Sequence, residues 1–481
     1  MKSQCGKLEM KAQIGYWKYL VSGGLMLLVV SGCSVVKQPP YQRPALPEKE
    51  VWKAAPSRNE KAALRLEWWR NFGDPALDML VNSAIAHNLD IRIATARVQA
   101  AEAALQGSRG RRLPVINLDG RASRRESFGD RDRVSGQYSL QGRLNWELDI
   151  WGRLKKGIDA NVAAQASTQA ARRAVWLKVT ATVARTYFDL RRLDEQIGLR
   201  QSSIDATRKS LDVFQARLAA GFATQVEVDS QAAELNRLKR ELLELRRRRQ
   251  LRENHLATLL GKPAGKLAIP PGGLRNIVHP VDIPVGLPSQ LVARRPDIVE
   301  AEYRVLRAHH LLGQARLAKL PSFSLTGNSG YASPIFSRLL NNWTLGLASL
   351  ISIPLFDPAV KARIAGSEAR MEFEKARYRR TVLTAFEEVE NALTSLENRK
   401  RQHQLLRARE KTLETVAEKR RGQLAEGLIS QLDLFEAERS LLEASQALLD
   451  NYQAILGETV TLYESLGGGW AEQTVAREGG Q

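Results

Sequence analysis

The sequence predicts a mainly α-helical fold with a small β part, built as two tandem repeats, each of long coiled helices plus one β-hairpin. Three observations predict it. First, the chain repeats itself. Leu89-Asp90-Ile91 matches Pro296-Asp297-Ile298, Leu113-Pro114 matches Leu320-Pro321, and Leu118 and Gly120 match Leu325 and Gly327, all 207 apart. Ile150-Trp151-Gly152 matches Leu355-Phe356-Asp357 at 205, and Ala219, Gly221 and Leu235 match Ala425, Gly427 and Leu441 at 206. An offset held this closely marks a duplicated unit. Second, apolar residues recur every seven positions over unusually long stretches. Third, in each unit a short segment switches to period two, which is the mark of a strand with one apolar face.

Residues 1–32 read as an export signal. Lys2, Lys7, Lys11 and Lys18 stand against Glu9, and the apolar run from Leu20 to Val30 is too short for a comfortable membrane span. Val30-Ser31-Gly32-Cys33 resembles a bacterial lipobox, with Val30 where many have Leu. Cleavage would leave Cys33 first and lipidated, and Ser34 rather than Asp after it favours sorting to the outer membrane. An extended lipidated segment is expected over 33–75. The first repeat follows at 76–260, a Pro-rich linker at 261–287, the second repeat at 288–466 and a tail at 467–481. Seven prolines between 261 and 296 mark the linker.

Within the first repeat, periodicity predicts a helix over 77–112, ended by Pro114. Tyr138, Leu140, Gly142, Leu144, Trp146 and Leu148 then alternate with Gln137, Ser139, Gln141, Arg143, Asn145 and Glu147. Ile116, Leu118, Gly120 and Ala122 give a weaker partner strand. The second repeat offers Phe323, Leu325 and Gly327 and then Trp343, Leu345, Leu347, Ile351 and Ile353. Strands of about 10 residues with one apolar face and aromatics near the ends fit a transmembrane β-barrel. Four strands cannot close a barrel, and lipid forbids open edges, so the barrel must be shared between chains.

No proline interrupts 155–219, where Val183, Leu190, Ile197, Ile204, Leu211 and Leu218 keep a spacing of seven. Leu235, Leu238, Leu242 and Leu245 continue in the next helix, and Leu434, Leu441, Leu448, Ile455 and Leu462 repeat the pattern in unit two. Such heptads imply left-handed supercoiling against neighbours. A helix of ~60 residues reaches ~90 Å, far more than a compact domain needs. The turns between long helices match: Gly221 and Gly427 suit a helix C-terminus needing positive φ, and Thr224 with Glu227, and Ser430 with Asp433, read as capping boxes. These four turn residues, Gly221, Thr224, Gly427 and Ser430, are either purely structural or a tip presented to a partner protein.

Composition narrows the class. The 481 residues carry 72 Lys+Arg against 52 Asp+Glu, a net charge of +20 and a pI near 10.1. Losing residues 1–32 lowers the charge by three, to +17. Two cysteines exclude a disulfide framework and a Cys-based zinc site. The six histidines (87, 255, 279, 309, 310 and 403) lack H-E-x-x-H spacing, and His309 and His310 are expected to point apart on a helix. There is no P-loop. The expectation is no enzyme, no metal and no cofactor beyond the lipid on Cys33. Arg246–Arg249 is expected to be a solvated helix face. A basic coiled-coil protein binding nucleic acid fits the charge but not the export signal. A lipid-anchored periplasmic adaptor fits the heptads but has no need of hairpins in both units.

Four motifs together carry a family resemblance: Trp68-Trp69-Arg70-Asn71-Phe72-Gly73-Asp74-Pro75, Trp146-Glu147-Leu148-Asp149, Ala293-Arg294-Arg295-Pro296-Asp297-Ile298 and Leu466-Gly467-Gly468-Gly469-Trp470. The chain resembles the TolC-like outer membrane factors of the lipoprotein branch, over nearly its whole length after Cys33. The resemblance implies a homotrimer with a shared twelve-stranded barrel in outer membrane lipid and an α-helical tunnel in the periplasm. It implies docking to a periplasmic adaptor (membrane fusion) protein and an inner-membrane transporter, and no nucleic acid. It also implies a gate at the periplasmic tip. Glu436 and Arg439 stand where similar proteins use a carboxylate and an arginine to hold the aperture shut, pairing with each other or across subunits. Leu432 stands where an apolar ring narrows the pore, and Leu424 where relatives often have Tyr.

Overall fold

The structure is a computed structural model that describes residues 39–45, 52–53, 66–128, 133–277, 283, 291–292 and 294–468. The expected helix over 77–112 is two helices, α1 (Pro75–His87) and α2 (Leu89–Gly110). Asn88 separates them because its side chain accepts from the amides of Asp90 and Ile91, which caps α2 rather than continuing α1. Strands β1 (Val115–Ser127) and β2 (Arg133–Leu148) follow, then α3 (Arg153–Ala219) and α4 (Gln225–Leu259). The second unit runs α5 (Pro296–Leu317), β3 (Ser322–Ser333), β4 (Trp343–Ser352), α6 (Pro358–Ala425) and α7 (Gln431–Ser465).

The two hairpins join into one antiparallel sheet of order β1-β2-β3-β4. Register puts Ile116 beside Leu144, Leu144 beside Gly327 and Gly327 beside Leu347, so the apolar residues of all four strands share one face. That face is bare: Ile116, Leu118, Leu345 and Leu347 are each about 70% exposed. β1 and β4 are unpaired sheet edges.

α3 has 67 residues and α6 has 68, each ~100 Å of helix. The heptad positions pack as expected: Val183, Leu190 and Ile204 of α3 are buried, as are Leu235, Leu238 and Leu242 of α4 and Leu448, Ile455 and Leu462 of α7. The main core lies partway along the rod. Here the Trp-Trp motif fills the space between α3 and α7. Trp68 stacks on Tyr463 at 5.3 Å, Trp69 meets Trp176 at 5.6 Å and Phe72 meets Phe188 at 5.0 Å. Such rings bury large areas and gain a further ~1 kcal/mol per pair from their geometry.

A buried polar chain crosses this core. Asp74 caps α1 and accepts from the Tyr187 hydroxyl at 2.6 Å; Arg191 donates to that same hydroxyl at 2.8 Å. Arg191 also pairs with Asp194, which pairs with Arg249, which donates to the carbonyl of Ile269. The start of the Pro-rich linker is thereby fastened to α3 and α4. The run Arg246–Arg249 is thus only partly the solvated face expected of it. Arg247 and Arg248 pair with Glu244 on the surface, but Arg249 is drawn inward by Asp194. The Arg-Arg-Pro-Asp motif works similarly: Arg295 pairs with Asp297 and Glu388 and donates to the carbonyl of Ser465, tying α5 to α6 and α7.

Candidate functional site

Two regions carry the candidate chemistry, and they lie at opposite ends of the long helices. At one end is the sheet. At the other are the two turns, and both have the same construction. After α3, Gly221 takes φ 80° and the amide of Phe222 bonds back to the carbonyl of Arg217 at 2.8 Å. After α6, Gly427 takes φ 74° and the amide of Leu428 bonds back to Gln423 at 2.9 Å. Any residue with a Cβ is strained at these angles. Thr224 and Ser430 then open α4 and α7 in complete capping boxes with Glu227 and Asp433. Hydrogen bonds from the Thr224 backbone and side chain hold the Glu227 carboxyl below its usual range, and those from Ser430 do the same for Asp433.

Each turn presents apolar side chains outward. Phe222 and Val226 are 83% and 73% exposed; Leu428 and Leu432, at the equivalent places, are 68% and 66%. Leu432 is therefore a bare apolar residue at the tip. Leu424 is half-buried. Gln431 reaches Ser210 at 3.0 Å and Arg421 pairs with Glu438 at 3.0 Å, so the second turn is fastened to α3 and α6.

Glu436 and Arg439 are both exposed on α7. They do not pair with each other in the protomer. Arg439 pairs instead with Glu443, one turn further along α7, at 3.0 Å. The pair is an i,i+4 neighbour on the helix and is weak because both side chains are more than half exposed. Arg439 borders a cavity between α3, α4 and α7 that also takes in Glu234 and Arg237.

Cys33 lies outside the described residues. The segment after it does not: Arg43 forms a bidentate pair with the buried Glu302, and Tyr41 meets His309 edge-on at 5.8 Å. Trp52 packs on Phe386 and the Lys53 amide bonds to Glu390. Tyr41 and Arg43 thus lie along α5, and Trp52 and Lys53 against α6, and nothing in the heptads or alternation signalled this strap. His309 and His310 do not point apart as expected. Both are buried and their rings meet edge-on at 5.7 Å. Among the described residues no cluster of His, Cys, Asp and Glu could hold a metal, and no helix is long and apolar enough to cross a membrane.

A lengthwise rod of paired helices, a sheet with a bare apolar face at one end and two capped turns at the other define a class: tunnel-forming proteins that meet a bilayer through strands. The chain belongs to the outer membrane efflux protein family, whose model matches residues 80–262 and 287–468. It is 30% identical to outer membrane protein OprJ of Pseudomonas aeruginosa, over 96% of this chain and 98% of that one. It is 28% identical to cation efflux system protein CusC of Escherichia coli, over 92% and 97%. Its fold matches the open state of the MtrE outer membrane channel of Neisseria gonorrhoeae with a TM-score of 0.81 at 26% identity, over 90% and 98%.

Proposed function

We propose that this chain is the outer-membrane channel of a tripartite efflux system, a passive gated duct for small molecules delivered by a periplasmic adaptor and an inner-membrane transporter. The observation that carries the reading is the four-stranded sheet, with one bare apolar face and two unpaired edges. In lipid the apolar face is satisfied, but each unpaired edge group costs several kcal/mol. Joining β4 of one protomer to β1 of the next removes every edge at once. Three protomers, the number the family resemblance implies, give twelve strands and a barrel roughly 24 Å across the backbone, from the ordinary strand spacing and tilt. The α-helices of the three chains would continue it as a tunnel. The family is one of channels, so energy for transport comes from the partner transporter.

The tip is the gate in this reading. Leu432 supplies an apolar ring, Glu436 and Arg439, whose exposed pair with Glu443 is weak, supply charges that can face the neighbouring protomer, and the turns at Gly221–Thr224 and Gly427–Ser430 meet the adaptor. Lipidation of Cys33 fits the direction of the strap. Going back from Arg43 to Tyr41, the chain moves along α5 from Glu302 to His309, toward the sheet, and the eight residues from Cys33 to Tyr41 span up to ~26 Å when extended.

Reconstitution tests the channel directly. Purified chain added to a planar bilayer is expected to give discrete conductance steps. A preparation that stays soluble without detergent and gives no steps would overturn the proposal.

A further inference from the structure

The polar face of the sheet is unevenly charged. Register places Asp119, Arg121 and Arg125 of β1 on the same face as Arg143 and Glu147 of β2. Near the helices the charges cancel. Asp119 pairs with Arg143 at 3.4 Å, and Glu147 pairs with Arg153, the first residue of α3, at 2.5 Å. Farther along β1 they do not. Arg121 stands opposite Ser139 and Arg125 opposite Ser135, both arginines are exposed, and neither has an acidic partner among the described residues. β3 and β4 contain no charged residue to offset them. Between the two strands the sequence adds Asp130 and Asp132 against Arg131, and β2 opens with Arg133, so these four charges cancel in sequence. Arg124, on the apolar face, is already paired with Glu126 at 2.8 Å.

Position along the strand gives this excess a place. Arg121 and Arg125 lie ~20 Å and ~33 Å beyond Val115, in the half of the strand away from the helices. We propose that Arg121 and Arg125 form a basic collar in the outer half of the barrel lumen, which makes the exit favour small organic anions, carboxylates and sulfonates above all, over cations. The inference rests on the shared-barrel reading. Three chains would set six unbalanced arginines around one bore. Lumenal charge of one sign between low-dielectric walls focuses the field and raises the local concentration of the opposite ion about tenfold or more.

The test is the reactivity of a thiol placed between the two arginines. Ser123→Cys lies on the polar face, two residues from each arginine, and Leu118→Cys lies on the apolar face. Outer membranes holding each variant are treated with a sulfonate-bearing or a trimethylammonium-bearing methanethiosulfonate, and labelling of the introduced thiol is followed by peptide mass. The expected result is faster reaction of Ser123→Cys with the anionic reagent. The anionic-to-cationic rate ratio should fall about tenfold when R121Q and R125Q are added, and collapse in ~1 M salt, where screening acts within ~3 Å. Leu118→Cys should stay protected. An unchanged ratio in the arginine variants overturns the collar while leaving the barrel standing. Labelling of Leu118→Cys as fast as Ser123→Cys, or none at Ser123→Cys, overturns the barrel reading itself.

Discussion

Two buried tyrosines offer a paired test of what fastens the core. Tyr187 and Tyr378 are both fully buried. The Tyr187 hydroxyl donates to Asp74 at 2.6 Å and accepts from Arg191 at 2.8 Å. The Tyr378 hydroxyl has no hydrogen-bond partner among the described residues, and burial pushes its pKa up to about 12. Tyr187→Phe keeps the ring and opens no cavity, so the loss is the two hydrogen bonds. Both are to ionised groups, which are worth more than neutral ones, though Arg191 keeps Asp194 and the carbonyl of Pro270. The expected cost is about 3 kcal/mol. Tyr378→Phe removes an unsatisfied hydroxyl and should be neutral or slightly stabilising. Unfolding of so large an assembly is a rate rather than an equilibrium, and Trp68, Trp69 and Trp176 report it by fluorescence. At a fixed denaturant concentration Tyr187→Phe should unfold about tenfold faster or more, with part of the loss appearing in folding instead. Equal rates for the two variants would refute the reasoning.

Other outcomes follow from the tip and the strap. Arg439→Ala is expected to raise single-channel conductance and uptake of external antibiotics; no change in either would remove Arg439 from the gate. Ser430→Ala deletes one cap of α7 and should cost ~1 kcal/mol, seen as faster amide exchange over residues 428–434 and not in the centre of α7. The cap is also pH-dependent. The Asp433 carboxyl is held below its unfolded value by Ser430, so its stabilisation is complete above about pH 4 and fades as pH falls through the folded value. Protection at the turn, taken relative to the intrinsic exchange rate at each pH, should therefore fall on acidification, and Asp433→Asn should abolish that dependence; a variant that keeps it would refute the assignment. Cys33→Ser should lose the lipid mass while the strap still docks through Arg43 and Glu302, and a wild-type chain without lipid would end the anchor proposal.

The long elements were legible because one force dominates each of them. The heptads of α3, α4 and α7 report burial along one helix face, the alternation of β2 and β4 reports one apolar sheet face, and both periods appear in the structure. The tip turns were legible for a different reason: positive φ and capping boxes are local, and the residues that need them are adjacent. What escaped was tertiary. Asp74, Tyr187, Arg191, Asp194 and Arg249 come from three helices and form one polar chain, and no spacing announces such a set. The packing of His309 against both Tyr41 and His310 depends on a strap that has no periodicity. Asn88 could have been found, since Asn followed by Leu-Asp is an ordinary N-cap signal inside what reads as one helical pattern. At the second turn, Glu436 and Arg439 stand three apart in the sequence, but Glu443, four apart from Arg439, is the partner the helix brings to it.

The central claim is that the sheet is one third of a barrel closed between chains. Native mass of the complex extracted in detergent from purified outer membranes tests it most directly. The account predicts three chains, each carrying lipid on Cys33. A monomer, or absence from the outer membrane, would contradict it.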